Sequence, residues 1–175
     1  MINTLINDLK IFAKENFHVQ TVSSYLTALN LSVEDLKIFN HRIENQYTRN
    51  LIHREPDFEI MLVCWPPGVS APIHGHEGEK CWARVQTGKL NICNYKELSR
   101  RPLSLKKIEE LNCCPGFLDG PADIHSVENV SEEFATSVHV YAKPYDTCEI
   151  FDIKQGTIKR IKMDYHSING VLCDQ

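Results

Sequence analysis

The chain has 175 residues, 19 Lys+Arg against 23 Asp+Glu, a net charge of −4, and 42% apolar residues. That composition is ordinary for a globular protein with its own core, and it excludes a disordered chain, a collagen and a coiled coil. No apolar run approaches the ~20 residues of a membrane span, and the acidic balance argues against a general nucleic-acid or membrane-surface binder.

The N-terminal segment reads as helical. Ile2, Leu5, Ile6, Leu9 and Phe12 follow i, i+3, i+4, i+7 spacing. A second helix is expected over about Val22 to Ala28. A third starts after Ser32 as N-cap, with Asp35 at N3 and Leu31 and Leu36 placed for a hydrophobic staple, and ends near Asn40. From Thr48 the segments become short, β-branched or aromatic. The strands expected are Thr48–His53, Phe58–Trp65, Cys81–Gln86, Lys89–Tyr95, Phe134–Tyr141, Cys148–Asp152 and Thr157–Met163, with turn signals such as Thr87-Gly88, Pro115-Gly116 and Gly120-Pro121 between them. This pattern predicts a mainly β protein, a barrel or a sandwich, with the helices packed outside. The expected organisation is one domain: a helical segment over 1–45, a β-barrel over 46–165 and a tail over 166–175.

Seven cysteines stand at 64, 81, 93, 113, 114, 148 and 173, an odd number with no CxxC pair. With no signal-peptide pattern, a reducing cytoplasm and free thiols are expected.

The chemistry concentrates between residues 68 and 88. His74 and His76 are two apart, so on a strand they share a face and can ligate one ion. His125 lies some fifty residues later, where a neighbouring strand could deliver it beside that pair. The spacing is Gly68, five residues, His74-x-His76, four residues, Cys81, six residues, Gly88; later come His125, three residues and Asn129. This frame resembles the two motifs of the cupin superfamily, except that Cys81 stands where cupins carry a glutamate ligand. Three neutral imidazoles leave a divalent ion its full charge and favour an anionic substrate ligand. They do not by themselves select iron over zinc or nickel.

Cysteine at that position resembles the cysteine dioxygenases. Further segments resemble the same family: TRNL at 48–51, HSVENVS at 125–131, SVHVY at 137–141 and YDTCEIFD at 145–152. The resemblance implies Fe(II) held by His74, His76 and His125, and oxidation of L-cysteine by O2 to cysteine sulfinic acid. It implies that Arg49 binds the substrate carboxylate, with Tyr47 framing the pocket. It gives Ser137, His139 and Tyr141 the role of a hydrogen-bonded relay. Their alternation along a strand puts all three on one face. It implies a thioether between Cys81 and Tyr141, and a place for Cys148 at the pocket mouth. A monomer with small-molecule substrates is expected.

Lys143 follows Ala142 where related enzymes often carry proline, so a trans bond is expected there. Two alternatives stay open: a dioxygenase for 3-mercaptopropionate, which carries Gln at the Arg49 position, and a non-catalytic metal-binding cupin.

Overall fold

The computed structural model describes residues 1–174. Three helices open the chain: α1 (Ile2–Lys14), α2 (Val19–Ala28) and α3 (Val33–Leu36), the last running into a 3-10 turn over Lys37–Phe39. The third helix begins as expected. Ser32 Oγ accepts from the Asp35 N–H at 3.1 Å and Asp35 Oδ2 accepts from the Ser32 N–H at 2.9 Å, a reciprocal capping box.

Thirteen strands follow among the described residues. They are β1 (Thr48–Arg54), β2 (Glu59–Trp65), β3 (Ser70–Gly75), β4 (Lys80–Thr87), β5 (Leu90–Arg100), β6 (Leu103–Cys113), β7 (Leu118–Ala122), β8 (Ile124–Asn129), β9 (Ala135–Ala142), β10 (Thr147–Asp152), β11 (Thr157–Lys162), β12 (Ser167–Ile168) and β13 (Val171–Leu172). One sheet runs β13-β12-β1-β2-β9-β4-β7 and the other β11-β10-β3-β8-β5-β6. The expected mainly β, cupin-like architecture is present, built as two facing sheets rather than as one closed hydrogen-bonded cylinder. The segment expected as a C-terminal tail contributes β12 and β13, and β12 pairs in parallel with β1.

The helices explain an unusual feature of the seven-stranded sheet. Every residue of β2 is buried. Its residues Ile60, Leu62 and Cys64 join an outer core with Leu5, Leu9, Val22 and Leu26 of the helices. Met61, Val63 and Trp65, on the opposite face, join the inner core between the sheets. The strand therefore reads as a continuous apolar run because both of its faces are covered. Fully burying each of the helical leucines Leu5 and Leu9 is worth about 1.5–3 kcal/mol. Polar ties fix the layer: Trp82 Nε1 donates to Ser23 Oγ at 2.9 Å, and Lys80 Nζ donates to the carbonyls of Asn16 and Phe17.

The same alternation in β9 sends Val138, Val140 and Ala142 to the helices and leaves Ser137, His139 and Tyr141 to the interior. Gly88, the last glycine of the histidine frame, has φ +73, and a Cβ there would stand 2.6 Å from the Ala135 Cβ. Only glycine allows that approach between the β4–β5 turn and β9.

One expectation is corrected. The Ala142–Lys143 peptide is cis although Lys143 is not proline. The surroundings hold this geometry locally: the Lys143 N–H donates to Glu79 Oε2 at 3.1 Å, and Tyr141 keeps its place opposite Cys81.

Candidate metal centre and substrate cavity

His74 lies near the end of β3 and His125 near the start of β8, and the antiparallel register sets the two side by side. His76 follows β3 directly and is fully buried. The potential ligand nitrogens of the three lie within 4.8 Å of one another. Their rings meet edge to face at centroid distances of 4.6 to 5.2 Å.

Neighbours orient the rings. His74 Nδ1 is bonded to the Pro72 carbonyl at 2.8 Å, and His125 Nδ1 faces Asp119 Oδ2 at 3.4 Å. A neutral imidazole that donates through Nδ1 has Nε2 left as a ligand atom. Burial holds both His74 and His125 below the ordinary histidine range, so they are neutral near pH 7, as a metal ligand must be. Asp119 is itself held by Asn94 Nδ2 at 3.1 Å. The donor set therefore fits a divalent transition-metal ion with three facial imidazoles and room for further ligands.

Arg49 of β1 lines the same cavity and is 8% exposed. Its Nη1 donates to the Asp164 carbonyl at 3.2 Å, and its guanidinium lies over the Tyr165 ring at 5.2 Å. Tyr47, just before β1, stacks on Trp65 at 5.0 Å.

The relay residues are joined. Trp65 Nε1 donates to Ser137 Oγ at 2.9 Å, Ser137 Oγ meets His139 Nε2 at 2.8 Å, and His139 Nδ1 meets the Tyr141 hydroxyl at 3.2 Å. Burial, then His74 and Arg49, push His139 down to about 3, so this array carries no charge near neutrality. Cys81 pairs directly with Tyr141 across β4 and β9. Burial and the charge of Asp119 push the Cys81 thiol well above its ordinary value, and burial likewise keeps Tyr141 protonated.

The inner cavity is small, about 20 Å³, and His74, His125, Arg49, His139 and Tyr141 all line it. Tyr47, Arg49 and Met163 also line an outer groove of about 790 Å³, so these three side chains separate the two spaces. Cys148 is not on the cavity wall. It is fully buried behind Met163, with Sγ 3.1 Å from Met163 Sδ, and burial pushes its thiol up to about 11.

Two wall residues, Tyr145 and Tyr165, and two behind the wall, Asp119 and Glu59, escaped the sequence reading. Tyr145 packs on Tyr141 at 5.1 Å and near His76 at 6.0 Å. Asp119 backs His125, and Tyr165 and Glu59 surround Arg49. Glu59 carried a signal, since it is the one charged residue inside the run FEIMLVCW. All seven cysteines are free, and no helix among the described residues is long and apolar enough to cross a membrane.

Comparison with known proteins agrees with this geometry. A family model described as cysteine dioxygenase type I matches residues 1–154. The bovine protein named cysteine dioxygenase type 1 is 29% identical over 168 residues, covering 93% of this chain and 84% of its own length. The human protein of that name is 28% identical over 168 residues with the same coverage. The zebrafish one is 27% identical over 169 residues, covering 92% of this chain and 83% of its own. Among solved structures, the TT1209 protein of Thermus thermophilus superposes with a TM-score of 0.52 at 21% identity, over 65% of this chain and all of its own, a likeness of fold. With a match that begins at the first residue and spans both histidine motifs, the chain belongs to the cysteine dioxygenase type I family of enzymes.

Proposed function

We propose that the protein is an Fe(II)-dependent thiol dioxygenase that converts L-cysteine and O2 to cysteine sulfinic acid. One observation carries this reading: a three-histidine cluster, a buried arginine and a neutral tyrosine converge on one small cavity. His74, His76 and His125 would hold the ion. Bound there, Fe(II) would supply open coordination positions for thiolate, amine and O2, and the electronic means to bring O2 and sulfur together.

Everything else falls to the chain. Arg49 receives the substrate carboxylate, since its planar fork stays charged at any working pH. Held between the Asp164 carbonyl and the Tyr165 ring, it fixes where the substrate's sulfur lies relative to the histidines. Neutral His139 has one ring proton. With that proton on Nδ1, it donates to the Tyr141 oxygen, while Nε2 accepts from Ser137. The Tyr141 O–H is then free to donate toward the reacting oxygen or the substrate carboxylate. Trp65 and Tyr47 close the wall and limit water. Both atoms of O2 end on sulfur, and sulfur supplies the electrons, so no external reductant enters.

The facing of Cys81 and Tyr141 supports a thioether cross-link between them. Its formation removes one hydrogen from the thiol and one from the ring, with two electrons passing to O2. Cys148, in contact with Met163, would act on the pocket through that side chain. The free cysteines support a reducing cytoplasm, and we take the working form to be a monomer.

Oxygen uptake by iron-loaded protein tests the reading across L-cysteine, 3-mercaptopropionate and cysteamine. Uptake is expected to be fastest with L-cysteine, with sulfinate formed one to one with O2. Faster turnover of 3-mercaptopropionate, or no uptake with any thiol, would refute it.

A further inference from the structure

The wall behind Arg49 contains a second charged assembly that the chemistry above does not use. Glu59 opens β2, paired with Arg54 of β1 on one side and Tyr141 of β9 on the other. It lies on the inner face and is fully buried. Glu59 Oε2 accepts from the Tyr165 hydroxyl at 2.5 Å and stands 3.6 Å from Arg54 Nη1. Arg54 Nη1 in turn reaches the Tyr165 hydroxyl at 2.6 Å and Asp146 at 2.8 Å. On the other side, Glu59 Oε1 and Arg49 Nη2 face each other at 3.9 Å. Neither of those two atoms has a hydrogen-bond partner.

Burial raises the Glu59 pKa, while the Tyr165 hydroxyl and the two guanidinium groups pull it back down. The net shift is upward, but two guanidinium groups at 3.6 and 3.9 Å and the bond from the Tyr165 hydroxyl favour the carboxylate form over the neutral one. Its charge offsets Arg49, yet 3.9 Å is too long for a hydrogen bond, so the Arg49 fork is not spent on Glu59. The arrangement therefore neutralises the arginine while leaving Nη2 available. An arginine buried without such a neighbour would be a strong trap for anions. That matters here because the proposed product carries two anionic groups, a carboxylate and a sulfinate.

We propose that Glu59, secured by Arg54 and Tyr165, is a positioning residue that acts as the resident counter-charge of Arg49, so that carboxylates bind loosely enough to leave. This rests on the assignment of Arg49 to the substrate carboxylate. By this account the Glu59 charge weakens the pull of that guanidinium on the substrate's carboxylate without occupying its donors.

The experiment uses iron-loaded full-length protein and steady-state oxygen uptake. Glu59→Gln keeps the shape and removes the charge. The expected result is a KM for L-cysteine lower by about 3- to 30-fold, from a like charge removed beside the bound carboxylate, with inhibition by added cysteine sulfinate tightened at least as much. The kcat falls, because product leaves more slowly. Cysteamine, an aminothiol without a carboxylate, keeps its KM. An unchanged or raised KM for L-cysteine in folded Glu59→Gln protein would overturn the proposal. Arg54→Gln supplies a second arm that does not depend on the first variant folding. It turns more of the Glu59 charge toward Arg49, so KM for L-cysteine should rise severalfold, and a fall or no change would count against the counter-charge role. Arg49→Gln separates the two readings. If it fails to raise KM for L-cysteine while cysteamine is unaffected, the carboxylate assignment itself is wrong; if it does raise it, the Glu59 arms stand on their own.

Discussion

His139 offers a prediction whose size follows from its surroundings. In the folded chain burial lowers its pKa to about 3, against 6.5 for an unperturbed histidine. Below pH 6.5 the unfolded chain takes up a proton that the folded chain refuses, so the unfolded state binds more protons and stability falls with pH. The contribution is nil above the unfolded value. It is lost at about 1.4 kcal/mol per pH unit as pH drops from 6.5 toward the folded value. Between pH 7 and pH 5 the loss from this residue alone is about 2 kcal/mol. His139→Gln removes the titration while its amide still meets Ser137 and Tyr141. Urea unfolding of metal-free wild type and variant at the two pH values gives the comparison directly. The wild type's stability relative to the variant should shrink by about 2 kcal/mol on going to pH 5. Other groups, including His74 and His125, titrate in both proteins and cancel to first order. Parallel stability curves would show that His139 is already protonated in the fold, and the neutral relay would be wrong.

Two further expectations concern the metal centre. Asp119 backs His125 Nδ1, and such partners typically set metal affinity by about 10- to 100-fold. Asp119→Asn should weaken iron retention in a chelator competition by that order, and unchanged retention would remove Asp119 from the centre. Separately, wild-type protein after many turnovers should contain a species two hydrogens lighter by intact mass, absent from Cys81→Gly, which should remain active because Cys81 ligates nothing. A mass that never changes would leave Cys81 and Tyr141 as mere neighbours.

The metal cluster could be read from the chain because its spacing is a consequence of strand geometry. Ser137-x-His139-x-Tyr141 exploits the two-residue repeat within β9, whereas His76 stands just past the end of β3 and still comes together with His74 and His125. Long-range partners were harder. Asp119 and Tyr165 matter because of where β7 and the segment before β12 pass, which no local pattern encodes. β6 was missed for a different reason. Its residues Lys106 to Glu110 are exposed, so LSLKKIEELNC lacks the alternation of a half-buried strand and is held by its ladder with β5. Gly120-Pro121 reads as a turn but lies within β7, at the edge of its sheet, where a missing N–H is tolerated. At Ala142–Lys143, residue type favoured trans and tertiary context prevailed.

The parallel pairing of β12 with β1 has a consequence for assembly. Met163, the Asp164 carbonyl and Tyr165 all precede β12 directly, and all three lie beyond residue 154, where the family match ends. A nascent chain stopped at that point would already contain all three histidines, Arg49, Glu59 and Tyr141. It would still lack the carbonyl and the ring that aim the arginine. The pairing of β12 with β1 therefore seats the Met163–Tyr165 segment against Arg49, so the setting of a β1 side chain is completed by the far end of the chain.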